Sequence, residues 1–318
     1  MTASARWGTA LAALVLAATM SSCSPEEEPE PIDEIAVSGV FGRVPMVAFE
    51  APLPLEEESI EVLTEGEGRE LSAGDQALLS YTGFDGRTGH IMWDESPTLT
   101  EIHEISAEGV GEGLLDALDG VTEGSRLLVT QPVDDDDGTG MLVVVIDVRF
   151  TEAHGEELPP PDDDEISGRL PTVSLDESGV PRIDLPDDQP PGELFSAQLI
   201  RGTGPQLRPG QGVIAHYVGL EWETGQVIDS TWADGVPREQ AIDDLPEGLQ
   251  LELLDQPVGS RVLIVIPPAQ WDGNATAAFV VDILAASGSN DEVVTTPPAP
   301  DDDGDNESDD ATEQEDEA

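Results

Sequence analysis

Pro209-Gly210-Gln211-Gly212, followed closely by Tyr217-Val218-Gly219, decides the fold because the pattern occurs twice. Ala73-Gly74-Asp75-Gln76 and Tyr81-Thr82-Gly83 stand 136 positions earlier. Just before the pattern, Gly202-Thr203-Gly204 matches Gly66-Glu67-Gly68 at the same offset. Beyond it, Ile228-Asp229-Ser230-Thr231 matches Trp93-Asp94-Glu95-Ser96 at an offset of 135. Gly259-Ser260-Arg261-Val262-Leu263-Ile264 matches Gly124-Ser125-Arg126-Leu127-Leu128-Val129, and Val280-Val281-Asp282-Ile283 matches Val145-Ile146-Asp147-Val148, both again at 135. One slipped residue across the whole run marks two copies of one domain, too few for a solenoid. Upstream, Gly42-Arg43-Val44-Pro45 recurs as Gly168-Arg169-Leu170-Pro171 at an offset of 126, so the stretch between this segment and the core differs in length between the copies.

Each copy reads mainly as strands. Ala77–Tyr81 and Val213–Tyr217 are short, partly alternating runs after a glycine turn. Arg126–Thr130, Leu142–Val148, Arg261–Ile266 and Ala278–Leu284 are apolar runs of strand length, rich in β-branched residues. One helix is expected in each copy. Leu114, Leu115 and Leu118 fall on one face of the first, and Gly248–Leu254 is the less amphipathic counterpart. The expected class is α+β, two tandem domains each with an antiparallel sheet packed on one short helix. Residues 36–152 form the first and 166–286 the second, joined by an acidic, proline-rich linker at 153–165.

Composition removes several function classes. Twelve cations stand against 68 carboxylates, a formal net charge of −56. A surface of that sign does not displace counterions from nucleic acid, nor does it bind anionic lipid through basic residues. All twelve cations are arginine, so no lysine is available for a Schiff base or a Walker motif. A single cysteine precludes an intramolecular disulfide, and the four histidines show no metal-ligand spacing. No metal and no cofactor are expected.

Residues 1–22 read as a signal peptide: Arg6, an apolar run from Ala10 to Ala18, then small residues. The lone cysteine, Cys23, follows Met20-Ser21-Ser22 in a pattern that resembles the bacterial lipobox. That resemblance implies lipidation of the Cys23 sulfur, an extracytoplasmic chain, and membrane contact through the lipid anchor only. Residues 23–35 then read as an acidic tether and 287–318 as an acidic tail, both too poor in apolar surface to offset the entropy of ordering.

The second copy resembles the FKBP family of peptidyl-prolyl isomerases. The resemblance rests on Val213–Gly219, Gly225-Gln226-Val227-Ile228-Asp229-Ser230, Val258–Pro268 and Thr276–Leu284, and covers about Glu193–Ala286. The first copy matches the same template more sparsely, and the whole is similar to tandem FKBP-type lipoproteins of Gram-positive actinobacteria. The family fold is a curved antiparallel sheet wrapped around a short helix, with a proline pocket between them. Carried over by position, Tyr217, Asp229 and Phe279 are the catalytic residues. Ile228, Leu245, Leu249 and Trp271 are the remaining pocket residues. The first-copy equivalents are Tyr81, Trp93, Asp94, Val110, Leu114 and Val144. Several positions depart from the family. Leu249 and Leu114 replace the usual helix tryptophan, and Ile228 replaces the usual aromatic before the aspartate. In the first copy Val144 replaces the last-strand phenylalanine, and a loop of four aspartates, Asp134–Asp137, replaces the aromatic one.

The implied reaction is rotation about an X–Pro bond, with exported, proline-containing polypeptides as partners and a macrolide as a ligand of the same pocket. The uncatalysed barrier is roughly 18–20 kcal/mol and breaks no bond. A dry apolar pocket favours the twisted amide, because water solvates the planar, more polar form better. Tyr217 is expected to donate to a substrate carbonyl and Asp229 to orient the rim. The pocket inventory places most of the activity in the second copy. Two classes stay open: an isomerase assisting folding at the cell surface, and a non-catalytic binding or scaffold lipoprotein.

Overall fold

The computed structural model describes residues 35–93, 97–135, 138–159 and 170–288. Cys23, Asp94, the tether as far as residue 34, the linker from residue 160 and the acidic tail from residue 289 lie outside the described residues.

Two antiparallel sheets form, each with its own helix and core. The first has the order β3 (Ser59–Thr64), β6 (Arg126–Asp135), β7 (Gly138–Arg149), β4 (Gln76–Asp85), β5 (Leu99–Glu104). The second runs β13 (Val227–Ser230), β12 (Gly212–Glu221), β16 (Ala277–Ser287), β15 (Arg261–Ile266), β11 (Phe195–Gly202), β8 (Gly155–Glu157), with β14 (Arg238–Ala241) also on β12. Helix α1 spans Glu112–Leu118 and α2 spans Glu247–Leu253. The i,i+4 spacing puts Leu249 and Leu253 into the second core and leaves Leu251 at 52% exposure. On α1, Leu118 is fully buried, and Leu114 and Leu115 pack beside it.

The outer face of each sheet is covered by its upstream segment. Strands β1 (Ala36–Ser38) and β2 (Met46–Ala48) form a hairpin; Val37 and Val47 lie against Phe84, Leu128, Val143 and Val145. In the second copy β9 (Thr172–Leu175) and β10 (Pro181–Asp184) form the hairpin, and Ile183 packs beside Trp222 and Val265. The recurring segment leads into β2 in one copy and β9 in the other. Yet β2 pairs with the strand before it, whereas β9 pairs with the strand after it. That swap accounts for the odd offset of 126.

One buried ion pair repeats in both sheets. Arg126 Nε and Nη2 meet Asp147 at 2.6 and 2.9 Å, and Arg261 meets Asp282 at 2.6 Å twice. Each aspartate also accepts a backbone N–H from the chain entering its domain, Gly42 at 2.6 Å and Ala153 at 3.0 Å. Removing one partner of such a buried pair typically costs about 3–5 kcal/mol, because the other charge is stranded.

Two expectations are corrected. The segment expected to open a linker at 153 instead enters the second sheet. His154 N donates to Gly259 O at 2.8 Å, and Gly155–Glu157 is the outermost strand. The four-aspartate segment of the first copy does not begin as a loop, because β6 runs through Pro132 to Asp135 and pairs with β7 from Gly138. In the second copy β15 ends at Ile266, before the pair Pro267-Pro268, and a 3-10 turn carries the chain to Trp271; the lone Pro132 at the matching position is carried within β6.

Candidate active site

The site of the second copy is built on β12 and closed by β16. Tyr217 and Gly219 lie two apart on β12, so they share a face. Gly219 is opposite Phe279 of β16. A Cβ on Gly219 would sit 2.2 Å from Phe279 Cε1, so only glycine lets that ring lie across the strand. Tyr217 and Trp271 flank the same ring, with centroids 6.4 and 5.0 Å away. Phe279 and Leu249 are buried in the core, with Tyr217, Leu245 and Trp271 partly buried against it. The structure therefore brings together Tyr217, Leu245, Leu249, Trp271 and Phe279. Ile228 lies at the edge, 39% exposed. There it joins Val227, Trp271 and Asp272 around a cleft of about 310 Å³.

The polar rim has three members. Tyr217 Oη donates to Asp229 Oδ2 at 2.8 Å. Arg238 Nη1 donates to the same carboxylate oxygen at 2.9 Å and to Tyr217 Oη at 3.3 Å. Ser230 N donates to Asp229 Oδ1 at 2.8 Å. The hydrogen bond from Tyr217 foremost, with Ser230 N–H and Arg238, holds the Asp229 carboxyl below its ordinary value. Burial, then the bond to Asp229, pushes the Tyr217 phenol up. The expected donation from Tyr217 to a substrate carbonyl meets a constraint here: the phenol has one hydrogen, and Asp229 holds it. An incoming carbonyl must displace that bond or use Arg238, whose side chain is 41% exposed.

Arg238 escaped the sequence reading. A signal was available, since it is the sole cation between Arg208 and Arg261 in an acidic chain. Thr231 also escaped it. It is fully buried; its Oγ1 accepts Tyr217 N at 2.8 Å and lies 2.8 Å from His216 Nδ1, which fixes the strand carrying the tyrosine.

In the first copy Tyr81, Val110, Leu114 and Val144 pack around the equivalent core. Trp93 takes the place that Phe279 has in the second copy: a Cβ on Gly83 would meet its ring at 3.0 Å, as a Cβ on Gly219 would meet the ring of Phe279. The charge at the rim is also reversed. Ala215 pairs with Arg238, and the matching Leu79 pairs with Glu101. Glu101 lies 3.3 Å from His103 Nε2, and the His103 ring meets Tyr81 edge-on at 5.7 Å.

No family model matches the chain. It is 33% identical over 115 residues to a probable FK506-binding protein of Corynebacterium glutamicum, spanning 33% of this chain and 98% of that protein. The chain belongs to the FK506-binding protein family, the FKBP-type peptidyl-prolyl isomerases. An FK506-binding protein of Streptomyces anulatus is also 33% identical, over 122 residues, 33% of this chain and 95% of that protein. Among solved structures, the three FKBP domains of wheat FKBP73 align with 73% of this chain and 95% of theirs, at 15% identity and a TM-score of 0.28. Each curated FKBP relative thus matches a stretch shorter than the repeat offset of this chain.

Proposed function

We propose that this FKBP-family chain is a tandem isomerase whose second copy turns X–Pro bonds of exported polypeptides. The observation that carries the reading is the Tyr217–Asp229–Arg238 network standing beside the aromatic pair Phe279 and Trp271. A proline ring inserted against Phe279, Trp271 and Leu249 leaves water behind, which favours the less polar twisted amide. Arg238 and Tyr217 then supply donors at the rim. Asp229 keeps both in place and is itself kept ionised by them. Rotation needs no nucleophile, metal or acid–base pair, in keeping with a chain that has no lysine.

The first copy supports a binding role in place of turnover. Trp93 covers Gly83, and a carboxylate, Glu101, stands at the register position that the cation Arg238 holds in the second copy. In the full chain, Arg238→Leu should lower kcat/KM in a protease-coupled proline-peptide assay by about 3- to 10-fold, the value of roughly one hydrogen bond in the transition state. An unchanged rate in a folded variant would remove Arg238 from the site.

The location follows from the lipobox-like Met20-Ser21-Ser22-Cys23. Among the described residues no helix is long and apolar enough to cross a membrane. The lipid on Cys23 is the proposed anchor, which places the two copies outside the membrane among newly exported chains. Mass spectrometry of membrane-fraction protein should find diacylglyceryl on Cys23; a soluble mature chain starting elsewhere would refute the anchor.

A further inference from the structure

Strands β3 and β11 are counterparts. Each pairs with the Gly-Ser-Arg strand of its sheet, and each breaks register at the same place, at Leu63 and at Leu199. In the second sheet the outer edge just past the break is occupied. Strand β8 pairs antiparallel there, with Ile200 opposite Glu157, Arg201 opposite Glu156 and Gly202 opposite Gly155. Leu158 N extends the ladder by donating to Leu199 O at 2.9 Å. Gly155 permits the approach, since a Cβ on it would lie 2.0 Å from the Arg201 carbonyl oxygen.

In the first sheet the matching edge is bare among the described residues. Strand β3 ends the order, and Thr64 and Glu65 are exposed. The charge is inverted as well. Arg201 faces Glu156 at 3.7 Å, and its counterpart 136 positions earlier is Glu65, with Glu61 and Glu67 exposed nearby. We infer that the β3 edge accepts an extended polypeptide strand bearing arginine or lysine opposite Glu65, added antiparallel as β8 is added to β11. Backbone donors and acceptors left open on an edge provide the affinity, and the facing side chains choose the partner. A second copy of this chain is a poor occupant: its net charge is −56, its own edge-seeking strand carries Glu156 and Glu157, and like charges directly opposite destabilise a strand pair. The ring of Phe150 bounds the slot, since a Cβ on Gly68 or Gly124 would meet it at 2.9 or 2.8 Å. The incoming strand therefore begins beside Gly66 and runs toward Ser59.

The test uses the full chain and needs no isomerase activity as a readout. A short peptide of alternating valine and arginine is titrated while backbone amide shifts are followed by NMR. Its controls are the same peptide N-methylated at alternate amides and an acidic peptide with the sequence of residues 153–159. The arginine peptide should shift the amides of Leu63, Thr64 and Glu65, and N-methylation should weaken it by about tenfold or more, since strand addition depends on those amides. Glu65→Arg should reverse the preference, losing the arginine peptide and gaining the acidic one. Equal binding of the N-methylated peptide would show simple charge attraction and overturn the inference. So would shifts that fall away from β3, or an unchanged preference in Glu65→Arg.

Discussion

Arg238 is the residue that separates the two rims. It reaches Asp229 and Tyr217 from a strand nine positions downstream of the aspartate, whereas the first copy has Glu101 at the paired position. Tyr217 and Asp229 were legible because they sit in a family motif. Arg238 was marked only as the sole cation between Arg208 and Arg261; what it meets depends on how β14 lies on β12, and no local pattern encodes that pairing. His216 shows the same limit. Alternation turns it away from the Tyr217 face, but says nothing of its burial or its stacking on Trp232 at 4.1 Å. Burial lowers its pKa from 6.5 to about 4. Between those values the unfolded chain binds a proton that the folded chain refuses, so stability falls as pH drops through that window. Denaturant melts of His216→Gln should show a shallower loss between about pH 6.5 and 4 than wild type. An unchanged slope would assign the acid sensitivity to other groups.

At the scale of elements, the strands and both helices were readable from glycine turns, β-branched runs and leucine spacing. Chain that reads as polar loop was not. Gly155–Glu157 looks like linker and becomes a strand because β11 offers a free edge. Asp134 and Asp135 of the first copy join a hairpin arm because the lone Pro132 does not end β6, whereas β15 ends before the pair Pro267-Pro268. The consequence for the site is direct: the stop brings Trp271 to Phe279, and the arm brings no aromatic to Val144. The second requirement is Gly219, which lets the Phe279 ring lie flat across β12. Gly219→Ala should drive that ring out of place and cut isomerase activity by about tenfold. The accompanying loss of stability should be only about 1–3 kcal/mol, the usual cost of local overpacking. Retained activity with an intact melting transition would show that the ring is not a pocket wall.

For the whole molecule, duplication has left two frameworks with one repeated ion pair and two different rims. The framework is held by Arg126–Asp147 and Arg261–Asp282, whose four members recur in the sequence at the single offset of 135. The rims diverge where the framework tolerates change: Trp93 over Gly83 against Phe279 over Gly219, Glu101 against Arg238. A small apolar cluster, Leu78, Ile214, Leu284 and Ala285, joins the sheets, so the two copies differ in chemistry while sharing a boundary. The division of labour is tested most directly by two matched substitutions in the full chain, Tyr217→Phe and Tyr81→Phe, in the protease-coupled proline-peptide assay. Removing the Tyr217 hydroxyl should lower kcat/KM by about 2- to 10-fold, corresponding to roughly 0.5–1.5 kcal/mol, and Tyr81→Phe should leave it unchanged. A loss in Tyr81→Phe with none in Tyr217→Phe would move the active site to the first copy and contradict the assignment.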